Sequence, residues 1–231
     1  MTKQLRAART RRALIRSAAI VFEQHGYGQA RLALISSGAG VSTGALHFHF
    51  ENKAAVAHAV VAEASHHLLE VSGTIRRRTG TALQTLIDTS HALVDLLGGD
   101  PVTRAGFRLS YDGERGGEPG LPAQWQRCVG ELLDEAAAAG TLADGVSRTD
   151  VTAATVAATT GFEVLGRCES QWLSARTLTG FWHLLLPCLA APETLPLLDP
   201  SGTTAATEAL TARRAGREAA AAAAGATAAP I

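Results

Sequence analysis

The side chains between residues 42 and 53 have the types and spacing to hold and read DNA. Ser42, Thr43 and His47 offer hydroxyl and imidazole groups that exchange hydrogen bonds with base edges. His49 suits packing or a phosphate contact, and Lys53 offers an ammonium for a phosphate. Two helical residues two positions apart point about 200° away from each other, so the two histidines are not expected to share a metal ion. The segment therefore favours polyanion binding, with no metal site.

Two short helices joined by a tight turn would present these side chains. Leu32, Ile35 and Ala39 fall at i, i+3 and i+7, one apolar helix face, and Gly40 supplies the backbone freedom that a sharp turn requires. Val41 can fill the angle between the helices, and Ser42 stands where an N-cap belongs. The pattern predicts a helix-turn-helix, with Phe48 among its core residues. A further helix is expected to begin near Lys53.

The formal net charge of zero hides an asymmetry along the chain. Residues 1–53 contain eight Lys or Arg and two Glu, a net charge of +6, whereas the remainder carries −6. A basic module beside an acidic one suits binding of a polyanion by the first segment, because phosphate neutralisation supplies the part of DNA affinity that does not depend on base sequence. The alternative is that these charges are simply solvated.

The remaining pattern is helical throughout, so we predict an all-α protein. Residues 5–25 form an amphipathic helix with Leu14, Ala18, Val21 and Phe22 on one face, and Gly26 ends it. We expect a DNA-binding domain over 1–53 with a linker helix over 53–72, and a ligand-binding and dimerisation domain over 73–198. Residues 112–121 are expected to form a mobile loop, and the alanine-rich residues 199–231 a disordered segment or a frayed helix.

The last two strong helical patterns have the composition of a homodimer interface. Residues 150–167 carry small side chains that let another helix approach closely, with Thr149 as the expected cap, and residues 178–189 carry bulky apolar ones. The alternative is that both helices pack inside one subunit.

Several classes of protein are excluded or disfavoured. No apolar run approaches the ~20 residues of a membrane span, and the basic N-terminus lacks the apolar region of a signal peptide, so we expect a cytoplasmic protein. The three cysteines are widely spaced in apolar surroundings, which indicates reduced core thiols. No catalytic or cofactor motif is present, so we expect no cofactor and no enzyme. An α-helical enzyme remains the alternative, and turnover of a bound molecule would reveal it.

The first 55 residues resemble the TetR family of transcriptional regulators. The resemblance rests on the basic first helix, Ala39-Gly40-Val41, Gly44, Phe48, Phe50 and Lys53. Residues 100–109, the glycine-rich loop, Leu121-Pro122 and Trp125 are similar to the γ-butyrolactone receptor branch of that family. The resemblance implies a homodimeric repressor that binds a double-stranded, pseudo-palindromic operator and is released by a small lactone or an antibiotic-like inducer.

The resemblance and the pattern together give the expected site residues. The DNA-binding residues are Lys3, Arg6, Arg31, Ser42, Thr43, Gly44, Ala45, His47, Phe48, His49 and Lys53. The ligand-binding residues are Trp125 and Thr160.

The chain departs from the family pattern at a few positions. Family members commonly have Thr, Lys and Tyr where this chain has Arg31, Thr43 and His47, and Ala64 stands where several lactone receptors have a polar ligand contact. These departures leave a second interpretation open, a ligand-binding pseudo-receptor with altered or lost DNA reading.

Overall fold

The protein is described by a computed structural model that covers residues 2–111 and 120–225. Most of the loop expected over 112–121 lies outside the described residues. The helices are α1 (Thr2–Gln29), α2 (Leu32–Gly38), α3 (Thr43–His49), α4 (Lys53–Arg76), α5 (Ala82–Gly99), α6 (Pro101–Leu109), α7 (Leu121–Ala138), α8 (Arg148–Gly166), α9 (Ala175–Leu189) and α10 (Thr204–Gly225). Short 3₁₀ turns lie at Ser170–Leu173 and Leu195–Leu197. The described residues contain no β-strand, so the all-α prediction is confirmed.

Within the described residues the chain divides into two compact units. The first unit contains α1, α2, α3 and α6, the part of α4 up to His66, and α10 from Thr211 onward. The second unit contains the rest of α4, α5, α7, α8, α9 and the start of α10. This division differs from the expected boundaries, because α6 returns to the first unit.

The core of the first unit joins α6 to the N-terminal helices. The predicted apolar face of α1 is buried, and the expected break at Gly26 is present as a positive φ of 68° that interrupts the helix. The buried core also takes residues from α2, α3, α4 and α6, among them Ile35, Leu46, Phe50, Val56, Val60, Val102, Ala105 and Leu109. Because residues far apart in sequence share this core, α6 cannot be separated from the N-terminal helices.

Side-chain oxygens start most of the helices of the second unit. Thr81 caps α5, Ser174 caps α9, and Ser147 caps α8 by accepting a hydrogen bond of 3.3 Å from the backbone N–H of Asp150. The expected cap at Thr149 was wrong by two residues. The largest buried side chains of this unit are Trp125 and Trp182.

The alanine-rich tail is helical over Thr204–Gly225, so disorder is the wrong interpretation for that stretch. Its first turns bury Ala205, Ala206 and Ala209 against Val71 and Ile75 of α4 and against α5. Small alanine side chains allow this close packing. Residues 226–231 lie outside the described residues.

The buried carboxylate of Asp88 on α5 fastens the start of α10. It accepts hydrogen bonds from the backbone N–H and the hydroxyl of Thr203, at 2.7 and 2.6 Å, and one from Gln84 at 3.1 Å. Thr203 itself caps α10 by accepting a hydrogen bond of 3.2 Å from the backbone N–H of Ala205, and Asp88 of α5 holds this capping residue in place.

The cysteine prediction was wrong for two of the three thiols. Cys128 is buried, and burial raises its pKa, but Cys168 and Cys188 are exposed. Among the described residues, no helix is both long enough and apolar enough to cross a membrane.

Candidate functional site

Helix α3 presents a polar outer face on a firmly packed inner one. Leu46 is fully buried and Phe50 is 5% exposed, whereas Ser42, Thr43, Gly44 and His47 are exposed and Ala45 and His49 are partly buried. Phe48 is 80% exposed, so its assignment to the core was wrong. Leu46 and Phe50 stand four residues apart on the inner face, and Phe48, midway between them, must point about 200° away from either.

The turn between α2 and α3 is fixed by hydrogen bonds. Ser17 of α1 donates to the carbonyl of Ile35 at 2.8 Å, and the hydroxyls of Ser36 and Thr43 lie 3.3 Å apart across the turn. Gly38 passes so close to Ser17 that a Cβ there would lie 2.5 Å from the serine hydroxyl oxygen. Within the first unit, α3 is therefore held in one orientation.

The basic residues around α3 have different surroundings. Arg31 precedes α2 and is exposed, and Arg6 is exposed on the outer face of α1. Arg11 lies with its guanidinium 5.2 Å from the centre of the Phe50 ring. The side chain of Lys3 lies outside the described residues. Arg6 and Arg31 are thus placed where a phosphate could reach them.

The ammonium of Lys53 is hydrogen-bonded to backbone carbonyls of the protein itself. Its ammonium donates hydrogen bonds to the carbonyls of Tyr27, Gly28 and Ala30 at 2.8, 3.0 and 3.2 Å, and it lies 4.7 Å from the centre of the Tyr27 ring. An ammonium has three N–H donors, and all three are used here. A phosphate could bind Lys53 only by displacing one of these carbonyls, so its role in this structure is to join the start of α4 to the end of α1.

Helix α6 is tied to α1 by charge and to α4 by shape. Arg104 donates to the carboxylate of Glu23, and Arg108 lies 3.7 Å from the same group. A Cβ on Gly106 would lie 2.3 Å from the Cβ of Ala64, so α4 and α6 cross there in close contact. This crossing accounts for Ala64, because a larger polar side chain at that position would collide with α6.

The second unit contains a buried hydrogen-bonded pair at the expected ligand residue. Trp125 is 1% exposed, and its indole N–H donates to the hydroxyl of Thr159 at 2.9 Å. Thr160, the residue expected beside Trp125, is only partly buried. Thr159 shares the buried face of α8 with Thr155 and Glu163, at spacings of four residues, whereas Thr160 is rotated by about 100°. The structure therefore brings Thr159, and not Thr160, to Trp125.

The family model of bacterial regulatory proteins, tetR family, matches residues 14–60. Over 203 residues the chain is 30% identical to the A-factor receptor protein of Streptomyces griseus, covering 87% of this chain and 71% of the relative. The chain belongs to the TetR family. It lies in the branch that contains the γ-butyrolactone receptors.

Two solved structures have the same fold. One, described as a γ-butyrolactone receptor (ArpA-like protein), is 26% identical, with a TM-score of 0.70 over 89% of this chain and 97% of that one. The other is CprB from Streptomyces coelicolor in complex with its operator sequence, 27% identical, with a TM-score of 0.71 over 89% of this chain and 99% of that one.

Sequence reasoning about this TetR-family chain missed residues whose roles depend on distant partners. No local signal marks Lys53 as a cap for α1, because its three acceptors lie 23–26 residues earlier. Thr159 could have been found by placing the polar residues of α8 on a helical face, since Thr155, Thr159 and Glu163 recur every four residues.

Proposed function

We propose that this protein is a ligand-responsive transcriptional repressor that binds a pseudo-palindromic operator as a homodimer and is released by a small molecule. The observation that carries the proposal is the helix-turn-helix, in which α3 is anchored by Leu46 and Phe50 and exposes Ser42, Thr43, His47 and Phe48. A short helix fixed on one side and exposed on the other fits the major groove of B-DNA.

We infer that residues 42–49 enter the major groove. Thr43 and His47 would lie nearest the base edges, with Gly44 and Ala45 allowing close approach and Phe48 offering an apolar contact to thymine methyl groups. Arg6 and Arg31 would bind phosphates, and Lys3 would continue along the backbone or into the minor groove. Lys53 would act by positioning α4 against α1, as its three internal hydrogen bonds suggest.

The outer surfaces of α8 and α9 support a homodimer. The small residues Ala153, Ala154 and Ala157 are exposed on α8, and Leu184 on α9 is 82% exposed. Exposed apolar side chains, large on one helix and small on the other, favour packing against helices of a second copy. A two-fold dimer requires operator half-sites about one or one and a half helical turns apart.

The second unit supports a binding site for a small effector around Trp125 and Thr159. The relatives are named as receptors for A-factor and γ-butyrolactone, so we propose a lactone or an antibiotic-like molecule of similar polarity. Helix α6 begins two residues after α5 ends, and its Arg104 donates to Glu23 of α1. A shift of α5 caused by an effector would therefore be passed along the chain to α6 and from there to the DNA-binding unit. To change the ratio of DNA-binding to released conformation from 99:1 to 1:99, the effector must bind the released conformation about 5.5 kcal/mol more tightly.

We propose that the protein acts in the cytoplasm and carries out no catalysis.

The repressor proposal is tested by a gel shift with DNA from upstream of the protein's own gene, repeated with culture extract and with a γ-butyrolactone. We expect the wild type to shift the DNA and culture extract to reverse that shift. The variant in which Thr43 and His47 are both replaced by alanine should not bind. Matched Gln126→Ala protein, altered at an exposed position of α7, should bind like the wild type.

Two other results would contradict the repressor proposal. A dimer that binds the effector but produces no shift of DNA would favour the pseudo-receptor with lost DNA reading. Thr43 and His47, which depart from the family pattern, are the observation that favours this alternative. Chemical conversion of the effector would indicate an enzyme.

A further inference from the structure

A cavity of about 190 Å³ lies in the first unit, between the end of α1 and α6. Besides Gly26, it is lined by two aromatic, two aliphatic and two charged side chains: Phe22, Tyr27, Ala105, Leu109, Glu23 and Arg108. All of these residues belong to the first unit, whereas the proposed effector site lies in the second. A cavity of about 150 Å³ accepts benzene, so this one has room for a single aromatic ring with a short substituent.

The aromatic wall of the cavity arises from the break in α1. Residues five positions apart in a regular helix point about 140° away from each other. Because Gly26 interrupts the helix with a φ of 68°, the ring of Tyr27 instead lies 5.8 Å from that of Phe22, tilted by 37°. Phe22 and the aliphatic side chains of Ala105 and Leu109 are at most 5% exposed. The cavity therefore offers an apolar bed on which a flat ring loses its contact with water.

The charged groups at the cavity select the sign of charge that a bound molecule can carry. Arg104 donates from two of its nitrogens to the two separate oxygens of Glu23, whereas Arg108 lies 3.7 Å from that carboxylate, beyond hydrogen-bond distance. A bound amine would have to compete with two guanidinium groups for one carboxylate. A bound carboxylate would instead accept from the planar fork of Arg108, which has five N–H donors.

We propose that this cavity is an accessory binding site for a small aromatic carboxylate. The ring packs against Phe22, Tyr27 and Leu109, and the carboxylate accepts hydrogen bonds from Arg108 while Arg104 stays on Glu23. Because the bound molecule touches α1 and α6 at once, it favours the present arrangement of these helices over any in which they separate. The site goes beyond the proposed function, since it requires neither DNA nor the effector.

The test uses three probes that share one ring and differ in charge: phenylacetate, phenylacetamide and 2-phenylethylamine. Phenylacetate should bind the full-length protein with a dissociation constant of about 1 mM, measured by calorimetry. The neutral and the cationic probe should each bind about tenfold more weakly, because neither carries the carboxylate that Arg108 recognises. This comparison is made on the wild type and does not depend on the folding of any variant.

Substitutions and spectroscopic signals locate the bound probe. Arg108→Met should weaken phenylacetate binding about tenfold, and Arg108→Lys, which keeps the charge without the planar fork, should weaken it less. Arg12→Met, which removes the same charge from an exposed position of α1, should bind within about twofold of the wild type.

The aromatic residues of the chain provide a second, independent location. The three tryptophans lie in the second unit, whereas of the two tyrosines Tyr27 lines the cavity and Tyr111 is exposed. With isotope-labelled tyrosine, the ring signals of Tyr27 in the nuclear magnetic resonance spectrum should move on saturation with phenylacetate, and those of Tyr111 much less. Tryptophan fluorescence should stay unchanged.

Three outcomes would overturn the proposal. Equal affinity for the three probes, or wild-type affinity in Arg108→Met, would mean that no charge is recognised. A change in tryptophan fluorescence without movement of the Tyr27 signals would place the probe in the second unit. Absence of saturable binding up to about 20 mM phenylacetate would mean that the cavity does not accept this class of molecule. Each of these results leaves the repressor function intact.

Discussion

Replacing Lys53 by methionine should destabilise the first unit, because the ammonium joins three carbonyls near the end of α1 to the start of α4. Hydrogen bonds to a charged group contribute about 1.5–3 kcal/mol each, and a cation over an exposed aromatic ring about 0.5–1 kcal/mol. Lys53 is only partly buried, so water can reach the released carbonyls and recover part of that energy. We therefore expect a loss of about 2–3 kcal/mol in the free energy of unfolding, well below the sum of the contacts.

Arg31→Met is the matched control, since it removes the same charge from an exposed position. Urea unfolding followed by circular dichroism measures stability, and operator affinity measured at several salt concentrations gives the number of phosphates neutralised. Arg31→Met should reduce the salt slope by about one and change stability by less than about 0.5 kcal/mol. If Lys53→Met instead keeps full stability and lowers the salt slope by about one, Lys53 is a plain phosphate contact and the capping argument is wrong.

Three further predictions concern the tail, the dimer and the coupling of α6. Asp88→Ala should cost about 2–3 kcal/mol and speed amide hydrogen exchange over 204–210, because the buried Gln84 and the partly buried Thr203 lose their acceptor. Slow exchange there would show that apolar packing alone holds α10. Leu184→Glu should give monomers in analytical ultracentrifugation without loss of helicity, and a persistent dimer would place the interface elsewhere. Glu23→Gln should shift the effector concentration for half-release of DNA by about threefold, because it weakens the contact between α1 and α6. Arg104→Met should have the same effect. If the effects of the two substitutions add in the double variant, the two residues act separately and the coupling argument is wrong.

Local patterns were sufficient to predict most of the helices, but not α10. The apolar spacing of α1, the glycine at its break and the serine before α3 depend on neighbours within a few residues, and each was found where the sequence placed it. The charge asymmetry is also a property of the chain alone. These features gave the fold class and the DNA-binding segment.

The sequence pattern did not determine which way a side chain points where two helix faces were possible, or which of two neighbouring residues makes a contact. Phe48 follows the same spacing rules as its aromatic neighbours, and only the packing of Leu46 and Phe50 turned it outward. Thr159 and Thr160 are adjacent hydroxyl residues, and the choice between them depends on which one α8 turns toward Trp125.

By itself the sequence determined where most of the helices lie, which face of α1 is apolar, and that the first 53 residues are basic, because these properties arise from neighbouring residues. The tertiary structure alone decided that Lys53 caps α1, that Asp88 fastens the start of α10, and that α6 belongs with the N-terminal helices. Each of these contacts joins residues 23 or more positions apart, and the chain sequence contains no local record of such a pairing.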